Sequence, residues 1–325
     1  MARTVYLHAA AGIGPNASPM LAFQASPAEK LSADAVPLGL RELGKSMGIA
    51  LPRLVSRFAE LAVIGARLCA DQLDLPLPRN TPLYLATGLG DVVRTDGLYF
   101  QVMPPNSEMA SPAKFATSGN NLGAFFVAQQ LGLVSRNLTI SQLDLSLEHA
   151  LTLALDDLEA ASATSALVGS VDESTAPRRF YRRRFPLSAD KYIGEGSAWL
   201  VLGTQARGAI GEVLGVAIDS TFDNEDERAW ADGVSATLQS FVDPKSSATL
   251  LPGVRLSDSQ INALLARQAA LMLHDYRDFS GCLPTAAGLA IVSTFTAKLQ
   301  APATYVHVNC DAEGHTGMIV WRVYA

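Results

Sequence analysis

The stretch NLTISQLDLSLEHAL, residues 137–151, reads as a buried apolar strand that turns sharply into a helix, with Asp144 at the turn. A side chain at such a turn stands above the sheet and meets the unpaired N–H groups of the helix's first turn. Nucleophiles occupy these turns, because the helix dipole lowers a thiol's pKa. Caps occupy them too: Asp is among the best N-cap residues, worth about 1 kcal/mol over Ala. On position alone, capping is the expected role of Asp144.

Working outward, RTVYLHAA (3–10) reads as a first strand and SRFAELAVIGARLCADQLDL (56–75) has the 3.6-residue apolar spacing of a core helix. TPLYLATGLGD (81–91) reads as a buried strand ending in a Gly turn, followed by an irregular stretch with Met103, Pro104 and Pro105. GNNLGAFFVAQQLGL (119–133) is a helix with small residues on its packing face. Leu147, Leu151, Leu155 and Leu158 mark the helix after Asp144, and SALVGSV (165–171), YIGEGSAWLVL (192–202) and IGEVLGVAIDS (210–220) read as strands. The chain closes with a helix, TAAGLAIVSTFTAKL (285–299), and paired strands TYVHVNC (304–310) and TGMIVWRVY (316–324). Strands alternating with helices predict a mixed sheet covered on both faces. Residues 223–280 give no clear strand signal.

At 325 residues and 49% hydrophobic, the chain is long enough for one large α/β domain or two pseudo-repeated halves. Its net charge of −6 argues against nucleic-acid binding, which needs a basic footprint. Cys69, Cys282 and Cys310 lack CxxC spacing, so neither a disulfide framework nor a metal site is expected. No apolar run reaches the roughly 20 residues of a membrane span, and the N-terminus lacks the regions of a signal peptide. The expected location is cytoplasmic. GIG, GLG and GEG fall short of a dinucleotide loop, and no cofactor is expected.

Five words occur in an order that resembles the β-ketoacyl-acyl-carrier-protein synthases of the thiolase-like condensing-enzyme superfamily. SGNNLGAFFVAQQLGLVSRNLTIS (118–141) is similar to the helix and strand before that family's active cysteine, and SALVGSVDE (165–173) to its D-x-A-x-A-G-G-x-E strand. RRFPLSADKYIGEGSAWLVL (183–202) resembles the R-P-F…G-E-G-A word, GCLPTAAGLA (281–290) the GHTxAAAGLA word, and NCDAEGHTGMIVW (309–321) the NSFGFGGTN word. The likeness covers residues 1 to about 205; later it holds only near 209–220 and from about 277. It implies the thiolase-like α/β fold, layered α-β-α-β-α, of two pseudo-repeated halves: 1–208 and a shortened 209–325.

Carried over residue by residue, the resemblance implies a lost site. Counting forward from Thr139 and back from Gly169 puts the family's nucleophilic cysteine at Asp144. The histidine of the GHT word falls on Cys282, and the second histidine has no counterpart between 220 and 280. The aromatic gate becomes Glu313 and the following Gly becomes His315; with Gln142 these are the tunnel or gate candidates. A carboxylate attacking a thioester would give an easily hydrolysed mixed anhydride. Each lost oxyanion donor costs roughly 10²–10³ in rate.

This pattern resembles the chain-length-factor type of subunit, a ketosynthase-like partner of an active ketosynthase in type II polyketide and aryl polyene systems. It implies a non-catalytic subunit that pairs with an active β-ketoacyl synthase, shapes the acyl-chain tunnel and meets an acyl carrier protein. The resemblance places the pairing surface near 119–140, with Phe125, Phe126 and Leu131 as interface candidates. One departure is that such factors commonly carry Gln at the lost cysteine, whereas here Gln142 lies two positions earlier. Arg178, Arg179, Arg182, Arg183 and Arg184 form a basic run in an acidic chain, read either as a solvated loop or as a docking patch for an acidic carrier protein. Two rival functions are an independent acyl-transfer or thioester-hydrolysing enzyme rebuilt around Asp144, His149 or Cys282, and an acyl-binding homodimer.

Overall fold

Along the strands, alternate side chains enter different cores, and both faces are buried. In the strand Leu83–Ala86, Leu83 and Leu85 pack into one apolar cluster while Tyr84 and Ala86 pack into another. Such strands need a helical layer on each side. The structure, a computed structural model, describes residues 3–14, 19–21, 39–51, 55–104, 109, 111–174, 194–220, 226–296 and 299–325.

The strands are β1 (Val5–Ile13), β2 (Pro19–Leu21), β3 (Leu83–Ala86), β4 (Asn137–Ile140), β5 (Ser165–Asp172), β6 (Gly196–Gly203), β7 (Gly211–Asp219), β8 (Ala248–Pro252), β9 (Leu271–Leu273), β10 (Ala303–Cys310) and β11 (Thr316–Val323). They run β4-β3-β5-β6-β1-β7-β11-β10-β8-β9, with β2 paired to β1. β3 is parallel to β4 and β5, and β6 is antiparallel to β5 and β1. On the other side β8 is parallel to β9 and β10, and β11 is antiparallel to β10 and β7. Read from its own outer edge, β9-β8-β10-β11-β7 repeats the order and relative directions of β4-β3-β5-β6-β1, and the two sets join where β1 meets β7.

The helices are α1 (Leu40–Ser46), α2 (Arg57–Ala70), α3 (Val92–Val102), α4 (Pro112–Ala116), α5 (Leu122–Leu131), α6 (Ser146–Glu159), α7 (Glu227–Gln239), α8 (Asp258–Arg267), α9 (Arg277–Ser280) and α10 (Ala286–Thr294). α6 and α10 share a central core with strand residues from both sets, among them Leu200, Ile319 and Trp321. α2 and α5 cover the outer face of the first set, and α7 and α8 that of the second. The layers are therefore α-β-α-β-α. The fold is α/β, as the alternation of elements predicts. Among the described residues, no helix is long and apolar enough to cross a membrane.

Three expectations change. β4 is not a buried strand: Asn137 and Leu138 are exposed, because β4 ends the sheet and pairs only with β3 among the described strands. The stretch after Gly90 is not irregular: it forms α3, whose Val93, Tyr99, Phe100 and Val102 lie in solvent and leave only Leu98 buried. Without a single buried face its apolar residues give no helical stripe. The segment 223–280 holds α7, β8, α8, β9 and α9. α8 starts with a capping box in which Ser257 Oγ accepts from Gln260 N while the Gln260 side chain accepts from Ser257 N. SDSQ before an apolar run is a legible start signal. The small-residue packing of α5 holds: a Cβ on Gly123 would lie 2.8 Å from Phe58 Cε1.

Candidate functional site

β4 ends at Ile140, and the chain makes a 3₁₀ turn over Leu143–Leu145 before α6 begins at Ser146. Leu143 has φ +50, a left-handed conformation that costs energy for a residue with a Cβ. Packing holds it there. Gly88 approaches so closely that a Cβ on it would lie 3.1 Å from Leu143 O and 2.1 Å from Pro284. Ser146 Oγ accepts from Gln142 N at 2.8 Å and lies 3.0 Å from Thr87 O.

Asp144 stands on this turn, as the sequence indicates, but it does not cap the helix. The N-cap of α6 is Leu145, with no side-chain cap bond. The Asp144 carboxylate turns instead to Arg255, whose Nε donates to Oδ2 at 2.5 Å; the two side chains are 0% and 11% exposed. Asn309 locks both residues: its Nδ2 donates to Asp144 O at 3.0 Å and its Oδ1 accepts from Arg255 N at 3.2 Å. Asp144 Oδ1 has no hydrogen-bond partner among the described residues. Burial pushes the Asp144 carboxyl up to about 6, against the opposing charge and hydrogen bond of Arg255, while Asp172 and Asp311 add to the rise. The capping expectation is therefore corrected: a buried carboxylate with an available cation pairs rather than caps.

Arg255 lies in the loop between β8 and α8, inside the segment that gave no strand signal. Backbone contacts hold that loop. Gly253 N donates to Val308 O at 2.7 Å, and a Cβ on Gly253 would strike the Asn309 side chain. Arg277 Nη1 donates to Gly253 O and Leu256 O while its other nitrogens grip Asp275. Asn309 opens the NCDAEGHTG word, so its place was legible; Arg255 carries no such signal.

A second node ties the Gly turn after β3 to the start of α10. The Asp172 carboxylate accepts from Thr87 Oγ1, Gly88 N and Leu89 N through Oδ1, and from Thr285 N and Oγ1 through Oδ2. Burial raises its pKa, and these donors hold the rise back.

Among the described residues, Gln142, His149, Glu313 and His315 share no hydrogen bond or ion pair with the Asp144 side chain. Gln142 is exposed, and its backbone N–H donates to Ser146 Oγ. Glu313 is exposed at the tip of the β10–β11 hairpin, and His315 Nδ1 bonds Asp311 Oδ2 at 2.6 Å. Asp311, Glu313 and His315 offer ligand atoms within 4.8 Å of one another. The Asp311 carboxylate, however, already accepts from His315 Nδ1 and from the Glu313 and His315 backbone N–H groups. Cys282 is buried. His149 is half-buried on α6. Arg178, Arg179, Arg182, Arg183 and Arg184 lie outside the described residues. Of the interface candidates, Phe125 is exposed, whereas Phe126 and Leu131 pack partly onto the α2–α5 core.

One cluster has no counterpart in the sequence reading. Under the Asp144 turn, Glu148 of α6 and His307 of β10 are both fully buried, with Glu148 Oε1 3.6 Å from His307 Nδ1. Tyr276 closes the row, its hydroxyl 3.1 Å from His307 Nε2.

No family model matches the sequence, and no curated protein does. Solved structures do match in shape. The ishigamide ketosynthase/chain length factor aligns with a TM-score of 0.76 at 18% identity, over 99% of this chain and 100% of the other. A β-ketoacyl synthase from Burkholderia phymatum STM815 aligns at 0.75 and 14% identity, over the whole of both chains. The chain has the ketosynthase fold. A third match is a type II polyketide synthase acyl-carrier protein in complex with its hexaketide-bound ketosynthase, with a TM-score of 0.74 and 14% identity over the whole of both chains. At such identities the likeness is one of fold.

Proposed function

We propose that this chain is a non-catalytic, ketosynthase-like subunit of the chain-length-factor type. In this reading it pairs with an active β-ketoacyl synthase and helps shape the acyl-chain tunnel in polyketide, aryl polyene or fatty-acid-type biosynthesis, with residues 1–208 and 209–325 as its two halves. One observation carries the reading: the residue on the nucleophile turn is a carboxylate already committed to Arg255. Condensation needs a thiolate to carry the acyl chain and donors aimed at the developing oxyanion. Among the described residues, the groups on Asp144 are Arg255, which takes its charge, and Asn309, which takes its carbonyl.

The purified chain is accordingly expected to show no malonyl-carrier-protein decarboxylation or condensation above background, and Asp144→Cys alone is not expected to restore either. Restored turnover in that variant, or acyl transfer to residue 144 in the wild type, would move the reading to the rebuilt-enzyme alternative. Co-expression with a ketosynthase, followed by copurification, tests the pairing. A homodimer that binds acyl groups and ignores every ketosynthase would support the sequestering alternative.

The carrier-protein part of the proposal rests on charge. The basic run at Arg178–Arg184 would attract an acidic carrier protein in a chain of net charge −6. Charge reversal at Arg182 and Arg183 should weaken carrier binding several-fold at low salt and much less at high salt, because screening shortens the reach of exposed charge. Titration by calorimetry at two salt concentrations reads this directly. Equal binding by variant and wild type at low salt would return the run to a solvated loop.

A further inference from the structure

A buried polar seam runs between the start of α6 and β10. Asp144 and Glu148 lie four residues apart, one turn along the chain as it enters α6, while His307 and Asn309 lie two apart on β10, where alternate residues share a face. One end of the seam is matched: Arg255 takes the Asp144 carboxylate and Asn309 the Asp144 carbonyl. The other end is not. Glu148 and His307 are both 0% exposed, and neither oxygen of the Glu148 carboxyl nor His307 Nδ1 has a hydrogen-bond partner among the described residues.

The two groups face each other. Glu148 Oε1 lies 3.6 Å from His307 Nδ1, close enough for a charge pair and longer than an ordinary hydrogen bond. β11 closes the space on one side, since a Cβ on Gly317 would lie 2.9 Å from Glu148 Cγ. Tyr276 ends the row, its hydroxyl 3.1 Å from His307 Nε2. The other charged and titratable groups around the seam are Asp275 and Arg277 at the start of α9, Cys282 after it, and Asp144 and Arg255 at the turn. The cations among them are committed, Arg255 to Asp144 and Arg277 to Asp275. His307 is therefore the base within reach of Glu148.

We propose that Glu148 and His307 together hold one proton more than a carboxylate and a neutral imidazole, so that the row carries no net charge and ties α6 to β10 in a pH-dependent way. A fully buried carboxylate with neither a cation nor a donor is among the costliest groups a core can hold. Imidazolium against carboxylate removes that cost, and so does carboxyl against neutral imidazole; the two differ only in which atom carries the shared proton. Burial pushes the Tyr276 hydroxyl well above its usual range, so it stays protonated and leaves the charge of the row to the other two. The sign follows. The folded chain holds a proton that the unfolded chain releases more easily, so the tie is strongest at low pH and weakens as pH rises. Once the proton is gone, one uncompensated negative charge lies between α6 and the strand whose Asn309 holds the Asp144 turn.

Two measurements on the full chain test the tie. In protein carrying nitrogen-labelled histidine at about pH 7, the His307 ring signals, assigned by their absence in His307→Gln, should be those of an imidazolium. If the proton sits on Glu148 instead, the infrared spectrum should contain a protonated-carboxyl band that Glu148→Gln removes. Glu148→Gln should abolish whichever signature the wild type shows. Above the pH at which that signature fades, hydrogen exchange of the buried α6 and β10 amides, corrected for the intrinsic rate, should rise by up to about tenfold per pH unit in the wild type and not in Glu148→Gln. A neutral His307 ring in the wild type with no carboxyl band lost in Glu148→Gln, or the same exchange profile in both proteins, would overturn the proposal.

Discussion

Replacing Arg255 with Met is expected to destabilise the protein by about 3–5 kcal/mol near neutral pH, the usual cost of breaking a buried ion pair from one side. The substitution keeps the aliphatic volume and removes the guanidinium, leaving a fully buried carboxylate whose Oδ1 already lacks a partner. Asp144→Ala should cost a similar amount from the other side, since it leaves an 11%-exposed guanidinium without its counter-charge. The double variant should cost clearly less than the sum, because the remaining partner is no longer charged and buried alone. Urea midpoints at constant slope measure all three. A capping carboxylate would behave otherwise: Asp144→Ala would cost about 1 kcal/mol and Arg255→Met would be independent of it. Additive, small effects would therefore sink the ion-pair account.

The pH dependence has a definite sign. Even with Arg255 present, burial holds the Asp144 carboxyl at about 6, above its ordinary 3.8. Its stabilising contribution is complete below 3.8 and is lost as pH rises through about 6. Without Arg255 that value climbs further. The cost of Arg255→Met should therefore be small near pH 5, where Asp144 takes up a proton, and grow toward neutral pH. Against two well-packed apolar side chains in its place, such a buried pair adds little or nothing at neutral pH. Its role is to fix the 253–256 loop against the turn rather than to add stability.

Residue types at a few positions made the fold legible. Alternation in YLHAAAGI and the leucine stripe of α6 are direct consequences of strand and helix periodicity, and the five words preserve close approaches that only small residues allow. Gly169 illustrates this: a Cβ there would collide with Trp199 at 2.5 Å. α3 escaped because its apolar residues serve no core, and β8 and α8 escaped because β8 has only five residues and α8 buries only Ile261 and Leu264, too few to set a clear period. The site was half legible. Asp144 and Asn309 lie where the words place them, but Arg255 is 111 residues from Asp144 along the chain. A contact of that separation between a turn and a loop leaves no periodic trace. The Glu148–His307–Tyr276 row was hidden for a similar reason, since its members alternate with apolar residues and look like ordinary interior positions.

The largest effect on function should come from the edge at β4. Asn137, Leu138 and Val134 are exposed there, next to Phe125 of α5, and Tyr99, Phe100, Met103, Met109 and Phe115 add exposed apolar groups in and around α3 and α4. Among the described strands β4 has one unpaired edge, and such an edge beside large apolar side chains is a surface that proteins cover. A stable pairing of this type buries about 2,000 Å² or more, and the proposed occupant is the corresponding flank of an active ketosynthase. Phe126 and Leu131 already pack onto the α2–α5 core, so charging them would test folding rather than pairing. Phe125→Glu and Leu138→Lys test pairing instead, since both residues are exposed, 51% and 36%, and lie outside the apolar cores. Central apolar residues of an interface are worth about 2–4 kcal/mol each, or roughly 30- to 1,000-fold in affinity. The double variant should keep the wild-type unfolding midpoint, lose copurification with the ketosynthase, and abolish chain elongation by the complex. Intact copurification with a folded double variant would place the partner elsewhere, and a stable wild-type monomer beside every ketosynthase offered would remove the pairing altogether.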